Sequence, residues 1–415
     1  MRRCRGGRSA KGRRASPTAR HKHICQRIRG QDPRSGSRDP SRRRNDVTRN
    51  QKETEMTKRL KRCWAVRAAL LLSLVSGPAG AQQRGQQVQQ NAPSTQFEIL
   101  PIRNNVYMLA GDGGNIALSV GPDGVLMVDT GTLANSERLL AAIQQLQRQL
   151  ATNGLQAWNF AAETRSNLSR MISPPAPSKP IRYIINTSLD PDHSGGNEKL
   201  SQAGATITGG NVAGNIADAA QGASIIAHEN VLLRMTTAQA PFRSLPTDTY
   251  HMESMKLSHF FNGEGILILH QPSAHTDGDS LVFFRGSDVI AAGDIFRTDS
   301  YPVIDVERGG NMQGVIDGLN RILDLSIAEF RTEGGTMVIP GHGRLCDSAD
   351  VAYYRDMVTI IRDRIQAMIK KGMTLQQIKA ARPTKDYDPR YGKTTGPWTT
   401  DMFVEAVYQS LIQKK

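Results

Sequence analysis

Residues 181–197 read IRYIINTSLDPDHSGGN, and the reading of this stretch decides the fold. Its first six residues are an isoleucine-rich run of the length of a buried strand. The run passes directly into a loop that carries Ser188, Asp190, Asp192 and His193, and then into Gly195-Gly196, which opens a helix. Adjacent on one loop, Asp192 and His193 can both turn to one cation. A strand that hands an acidic, imidazole-bearing loop to a helix start belongs to an α/β protein whose chemistry gathers at a sheet edge.

Working outward, the same arrangement recurs three times. Ala274-His275-Thr276-Asp277-Gly278-Asp279 follows a strand expected at 265–270, Gly293-Asp294 follows one at 288–292, and Gly341-His342-Gly343 follows one at 336–339. Taken singly, an Asp-His pair is more often a helix cap and a Gly-His-Gly more often a turn. Four strand ends of this kind in one chain point to a metal centre, because rigid strands feeding short loops can hold several ligands near one position.

Upstream, short β-rich runs at 97–101, 106–109, 115–120 and 125–129 are separated by Asn-Asn, Gly-Asp-Gly-Gly and Gly-Pro-Asp-Gly turns, which makes a meander of hairpins. The Gly-Asp-Gly-Gly turn at 111–114 lacks a following helix, so it is not read as a phosphate cradle. Helical spacing covers 136–150, and 151–179 is an irregular insertion ending in a proline-rich stretch. Further helices are expected near 197–203, 211–219, 311–325 and 348–371, and strands near 254–261, 264–270, 280–285, 288–292 and 336–340. Residues 373–415 are read as two further short helices forming a C-terminal extension to a domain at 96–372. Strand meanders in both halves fit two packed sheets with helices outside, an α/β sandwich.

The strings GGNIALSVGPDGVLMVDTG, IRYIINTSLDPDHSGGN, HQPSAHTDGDS, VIAAGDIF and VIPGHG, in that order, resemble the metallo-β-lactamase superfamily of metal-dependent hydrolases. The resemblance implies a four-layered αββα sandwich of two mixed sheets, with one or two divalent metal ions, usually zinc, at one edge. It implies that Asp192, His193 and His342 supply one metal position, that Asp294 bridges, and that His275 belongs to the other. Asp129, in Val-Asp-Thr-Gly, matches a mostly structural family residue, and Asp279 one that supports the His275 loop.

The central motif departs from the family pattern His-x-His-x-Asp-His, since this chain has Ser188-x-Asp190-x-Asp192-His193. Both histidines of the first metal position are replaced. Ser188 is too weak a ligand to be an equal substitute, whereas Asp190 remains a candidate ligand, as some relatives of the diiron flavoprotein branch place a carboxylate there. More carboxylate and less imidazole makes a site harder and brings manganese or iron into range beside zinc. A metal on three protein ligands still leaves room for water, which it acidifies toward a pKa of about 7. His228 and His251 are read as structural or surface residues, and His259 and His270 as packing or hydrogen-bonding ones.

The chain has 415 residues and a formal net charge of +15. Residues 1–81 hold 23 Lys and Arg against 5 Asp and Glu, leaving 30 against 33 for the rest, so the folded part is not read as a nucleic-acid binder. Residues 1–55 have the composition of a basic disordered segment, or of an upstream stretch that is not translated because synthesis starts at Met56. Residues 56–81 run from a charged start through AALLLSLV to a small-residue end at Ala81, the order of a secretory signal peptide, and 82–95 are a polar linker. After cleavage Cys346 alone remains, so no internal disulfide can form. No apolar run reaches the about 18 residues a membrane span needs.

These features lead to an expected function: a periplasmic or secreted hydrolase of small molecules, delivering metal-bound hydroxide to an ester, thioester, lactone or amide, with Asp190 or Asp294 orienting the water. A β-lactam substrate is permitted but not favoured, given the replaced histidines. The competing expectation is a degenerate member that binds a ligand or partner without turnover, for which Ser188 and Asp190 speak.

Overall fold

The structure is a computed structural model of the chain and describes residues 97–153, 179–205, 222–257, 259–327 and 334–413. The basic extension, the signal peptide, the linker, most of the 151–179 insertion and the helix expected at 211–219 lie outside the described residues.

Seven strands form the first sheet in sequential order: β1 (Glu98–Arg103), β2 (Val106–Ala110), β3 (Ile116–Gly121), β4 (Gly124–Val128), β5 (Ile181–Ile185), β6 (Ser224–His228) and β7 (Asp248–Tyr250). The first four are antiparallel hairpins and the remaining pairings are parallel, so the sheet is mixed. The second sheet runs β13 (Cys346–Asp347), β12 (Met337–Ile339), β11 (Val289–Ala291), β10 (Asp279–Phe284), β9 (Ile266–Gln271) and β8 (Ser254–Lys256), with only the β11–β12 pair parallel.

Strand alternation explains the layers. Along β4, Leu126 and Val128 face one core while Val125 and Met127 face another; along β10, Val282 and Phe284 share the first of these cores while Leu281 and Phe283 face a third. The shared core, with Ile185, Ile226, Ile268 and Ile339, glues the two sheets together. Outside the first sheet lie α1 (Ser136–Asn153) and a short helix at Asn197–Gln202, which bury Leu139, Ile143, Leu146 and Leu200. Outside the second lie α5 (Met312–Leu325) and α6 (Ser348–Lys370), with α2 (Pro191–Ser194), α3 (Asn197–Gln202) and α4 (Glu229–Thr237) preceding them in chain order. This is the expected αββα sandwich.

Three local expectations are corrected. The strand expected at 254–261 ends at Lys256, because Asn262 takes a left-handed conformation and its amide donates to Ser119 and to the Gly124 carbonyl. A turn pinned to the β3–β4 hairpin replaces the ladder there. The C-terminal segment holds α7 (Leu375–Ala381), α8 (Asp388–Tyr391) and α9 (Thr400–Ile412), three helices instead of two. It is also no appendage: Ile378, Tyr391, Phe403, Val404 and Val407 are buried in the same core as α5 and α6.

Candidate metal centre

Both sheets send their strand ends to one place. From the first sheet, β4 ends at Asp129, which sits in the left-handed region with φ 66°, and β5 leads into Thr187 and the loop ahead of α2. Asp129 is buried and fully used: the Thr187 backbone N donates to its Oδ1 at 2.7 Å, while the Thr187 hydroxyl and His193 Nδ1 donate to its Oδ2 at 2.6 and 2.8 Å. The α2 turn begins with Pro191 as first helical residue, which carries Asp192 and His193 on consecutive positions. From the second sheet, β11 leads to Asp294 and β12 to His342.

The ligand atoms of Asp192, His193 and His342 converge, and so do those of Asp190, His275 and Asp294, each group within 4.8 Å. His193 Nε2 lies 3.4 Å from Asp294 Oδ1, His342 Nε2 lies 3.5 Å from that same oxygen, and Asp192 Oδ2 lies 3.1 Å from His342 Nε2. Two ligands at about 2.0–2.2 Å from a shared ion stand about 3.0–3.5 Å apart. His193 Nε2, Asp294 Oδ1 and His342 Nε2 are buried without a hydrogen-bond partner. Buried polar atoms are ordinarily satisfied, so three that point at one another mark a place for a cation. The residues present therefore fit a divalent metal.

Close packing makes room for this convergence. A Cβ on Gly114 would stand 3.0 Å from the Asp192 carbonyl and 3.1 Å from His193 Cε1, and one on Gly341 would stand 2.5 Å from Asp294 Oδ1. The 111–114 turn thus forms a wall of the site. Asn115 ties that wall to the His342 loop, donating from its backbone to Gly341 O at 2.7 Å and from its side chain to Pro340 O and Gly343 O at 2.9 Å.

Charge in the site is balanced by coupling. Burial opposes the charge of His193, yet Asp129 and Asp294 raise its pKa well above the ordinary value. Burial likewise opposes ionisation of Asp294, and His193 and Arg297 hold its carboxyl well below the usual range. Arg297 reaches Asp294 Oδ2 at 3.4 Å on the side away from the histidines. Asp279 is buried and supports the His275 loop by accepting from the Thr276 backbone and hydroxyl at 2.8 and 2.7 Å; burial pushes its pKa up to about 6.

Asp190 is placed differently from the other acids. Its Oδ2 lies 2.5 Å from His275 Nε2 and its Oδ1 accepts from Arg308 at 2.6 Å. Burial works against its charge, but His275 and Arg308 outweigh it and hold the pKa at about 2. Burial also disfavours the His275 imidazolium, against which Asp190, Asp279 and Asp294 raise its pKa to about 9. Ser188 is buried at 1 % exposure and its Oγ accepts from the Asp190 backbone at 3.4 Å.

The four other histidines among the described residues stay out of the centre. His228 caps α4 by accepting from Asn230 N at 3.3 Å and stacks on His270 at 3.5 Å, while His270 Nε2 donates to Asp277 O at 2.8 Å. His259 packs near Tyr183 and Phe261, and His251 is exposed. Sequence reasoning missed Arg308, Arg297 and Asn115. For Arg308 a signal existed, since Arg308-Gly309-Gly310-Asn311 leads into α5 much as Gly195-Gly196 leads into α3.

The sequence pattern of the metallo-beta-lactamase superfamily matches residues 109–342, more than half of the chain. No curated protein matches. Among solved structures, the DIM-1 metallo-beta-lactamase is similar at 14% identity and a TM-score of 0.42, covering 64% of this chain and 97% of its own. A metallo-beta-lactamase from Pontibacter korlensis is similar at 14% identity and a TM-score of 0.42, covering 64% of this chain and 99% of its own.

Proposed function

This chain belongs to the metallo-beta-lactamase superfamily, and from that premise we propose that it is an exported metal-dependent hydrolase of an ester, thioester, lactone or amide bond in a small molecule. The observation that carries the reading is the meeting of His193 Nε2, Asp294 Oδ1 and His342 Nε2, buried and unsatisfied, beside Asp192.

Asp192, His193, Asp294 and His342 would hold the ion, which when bound supplies Lewis acidity and an acidified water. Asp129 keeps the proton on His193 Nδ1, leaving Nε2 as the donor atom. Arg297 neutralises the outer oxygen of Asp294 and leaves the inner one for the ion. The Asp192 side chain, 33% exposed, marks the open side by which substrate and water enter. Both oxygens of Asp190 are engaged, and Asp294 gives one oxygen to Arg297 and the other to the ion, so orienting the water falls to the half-exposed Asp192.

Two imidazoles and two carboxylates suit zinc and also accept manganese or iron. Export is supported by the order of residues 56–81, and among the described residues no helix is long and apolar enough to cross a membrane. β-Lactams stay within the chemistry but are not favoured, because the chain departs from the family's histidines. The test is a panel of ester, thioester, lactone, amide and β-lactam substrates given to the metal-loaded full chain, with Asp192→Ala as control. Turnover of one class that the control loses supports the proposal; metal binding with no turnover on any class favours a binding protein.

A further inference from the structure

Asp190 stands at the rim of the site but is not arranged as a ligand of a shared ion is. Its 2.5 Å approach to His275 Nε2 is closer than the about 3.0–3.5 Å between two ligands of one ion. The Asp192, His193, Asp294 and His342 atoms keep the wider spacing and leave three atoms unsatisfied, whereas around Asp190 every hydrogen-bonding direction in use ends on a protein partner. His275 donates from Nδ1 to Val303 O at 3.0 Å and turns Nε2 to Asp190. The second oxygen of Asp190 is taken by the Arg308 guanidinium at 2.6 Å.

The placement of Arg308 is built into the backbone. Its Nε donates to Asp305 Oδ2 at 2.6 Å, which fixes the plane of the guanidinium. Its carbonyl accepts from Asp277 N at 2.9 Å, and Asp305 N donates to His275 O at 2.9 Å, so the Arg308 loop is stitched to the His275 loop on both sides. An arginine in that position carries a permanent charge, since its guanidinium keeps its proton at any relevant pH.

We infer that Arg308 occupies the electrostatic role of a second cation, so that the chain binds one divalent ion, at Asp192, His193, Asp294 and His342, and excludes another from the position bounded by Asp190 and His275. The exchange is coherent as chemistry. A position that has Ser188 and Asp190 where relatives have imidazoles has given up two neutral donors for an ion and holds a half-buried carboxylate that a positive partner stabilises. Arg308 supplies that partner, and its charge repels a further ion. The inference rests on the proposed metal-dependent reading of the neighbouring position.

The test is metal stoichiometry of the full chain, dialysed separately against excess zinc and excess manganese and read by elemental analysis, with manganese spin coupling as a second readout. Wild type and Arg308→Lys, which keeps a positive charge, are expected to hold one ion. Arg308→Gln and Arg308→Ala are expected to take up a second on Asp190, His275 and Asp294, with coupled manganese spectra. Two ions in the wild type would overturn the inference and leave the hydrolase reading standing; no ion in the wild type would overturn both. A folded Arg308→Gln that still holds one ion would overturn the role given to Arg308. Should the neutral variants not fold, the wild-type count decides between the first two outcomes.

Discussion

His193 Nδ1 donates to Asp129 Oδ2 at 2.8 Å, across a buried contact between the end of β4 and the α2 turn. The bond fixes which ring nitrogen carries the proton, so Nε2 faces Asp294 as a donor atom with no other partner. Asp129 is therefore structural in the sense that it sets the orientation and basicity of a candidate ligand.

Asp129→Asn is expected to weaken metal affinity about 10–100-fold, the usual effect of removing a carboxylate behind a ligating histidine. Competition with a chromophoric chelator measures it. Asp129→Ala should in addition lower stability by about 1–3 kcal/mol, because the buried Thr187 N–H loses its acceptor. Unchanged affinity in Asp129→Asn would mean that His193 is oriented by something else.

The Asp190–His275 pair gives the metal-free chain a defined pH signature. Asp190 titrates at about 2 against an ordinary 3.8, so its contribution is present above 3.8 and is lost as pH falls through 2. His275 titrates at about 9 against an ordinary 6.5, so its contribution is present below 6.5 and is lost as pH rises through 9. Denaturation of chelator-treated wild type and Asp190→Asn should differ most between about pH 4 and 6.5 and converge toward both extremes. A difference that is flat with pH would contradict the pairing.

The C-terminal helices are expected to be required for the site as well as for the core. Tyr301, in the loop that follows Asp294, stacks on Phe403 of α9 at 4.7 Å between ring centres and donates its hydroxyl to Thr384 O at 3.2 Å and Asp388 Oδ1 at 3.0 Å. Phe403→Ala should cost about 3–5 kcal/mol, since the ring is wholly buried. Thermal unfolding measures the loss, and bound metal should be released in the same transition. Release of metal well below the unfolding temperature would show the extension acting on the site alone.

Much of this was legible in the sequence because the signal is repeated. Each strand that leads to a candidate ligand is a short apolar run with an Asp or His and a Gly just beyond its end, and β5, β9, β11 and β12 form where those runs lie. What escaped is carried by residues whose pattern is not periodic. Ser224–His228 and Glu229–Thr237 were not read from the sequence, because the apolar run Ser224–His228 passes straight into the helix with no Gly or Pro turn to separate them. Arg308 was missed because its Arg-Gly-Gly-Asn context marks a helix start without showing that its side chain pairs with Asp190, 118 positions away. The C-terminal helices were counted as an extension because helical spacing shows an apolar face without saying which core it joins.

The central claim is that Asp192, His193, Asp294 and His342 form one cation site, and metal content of the purified full chain measures it most directly. Elemental analysis after dialysis against zinc or manganese is predicted to find tightly held metal in the wild type and its loss in Asp192→Ala, with unchanged secondary structure. A wild-type chain that retains no metal at any supplied concentration would contradict the account.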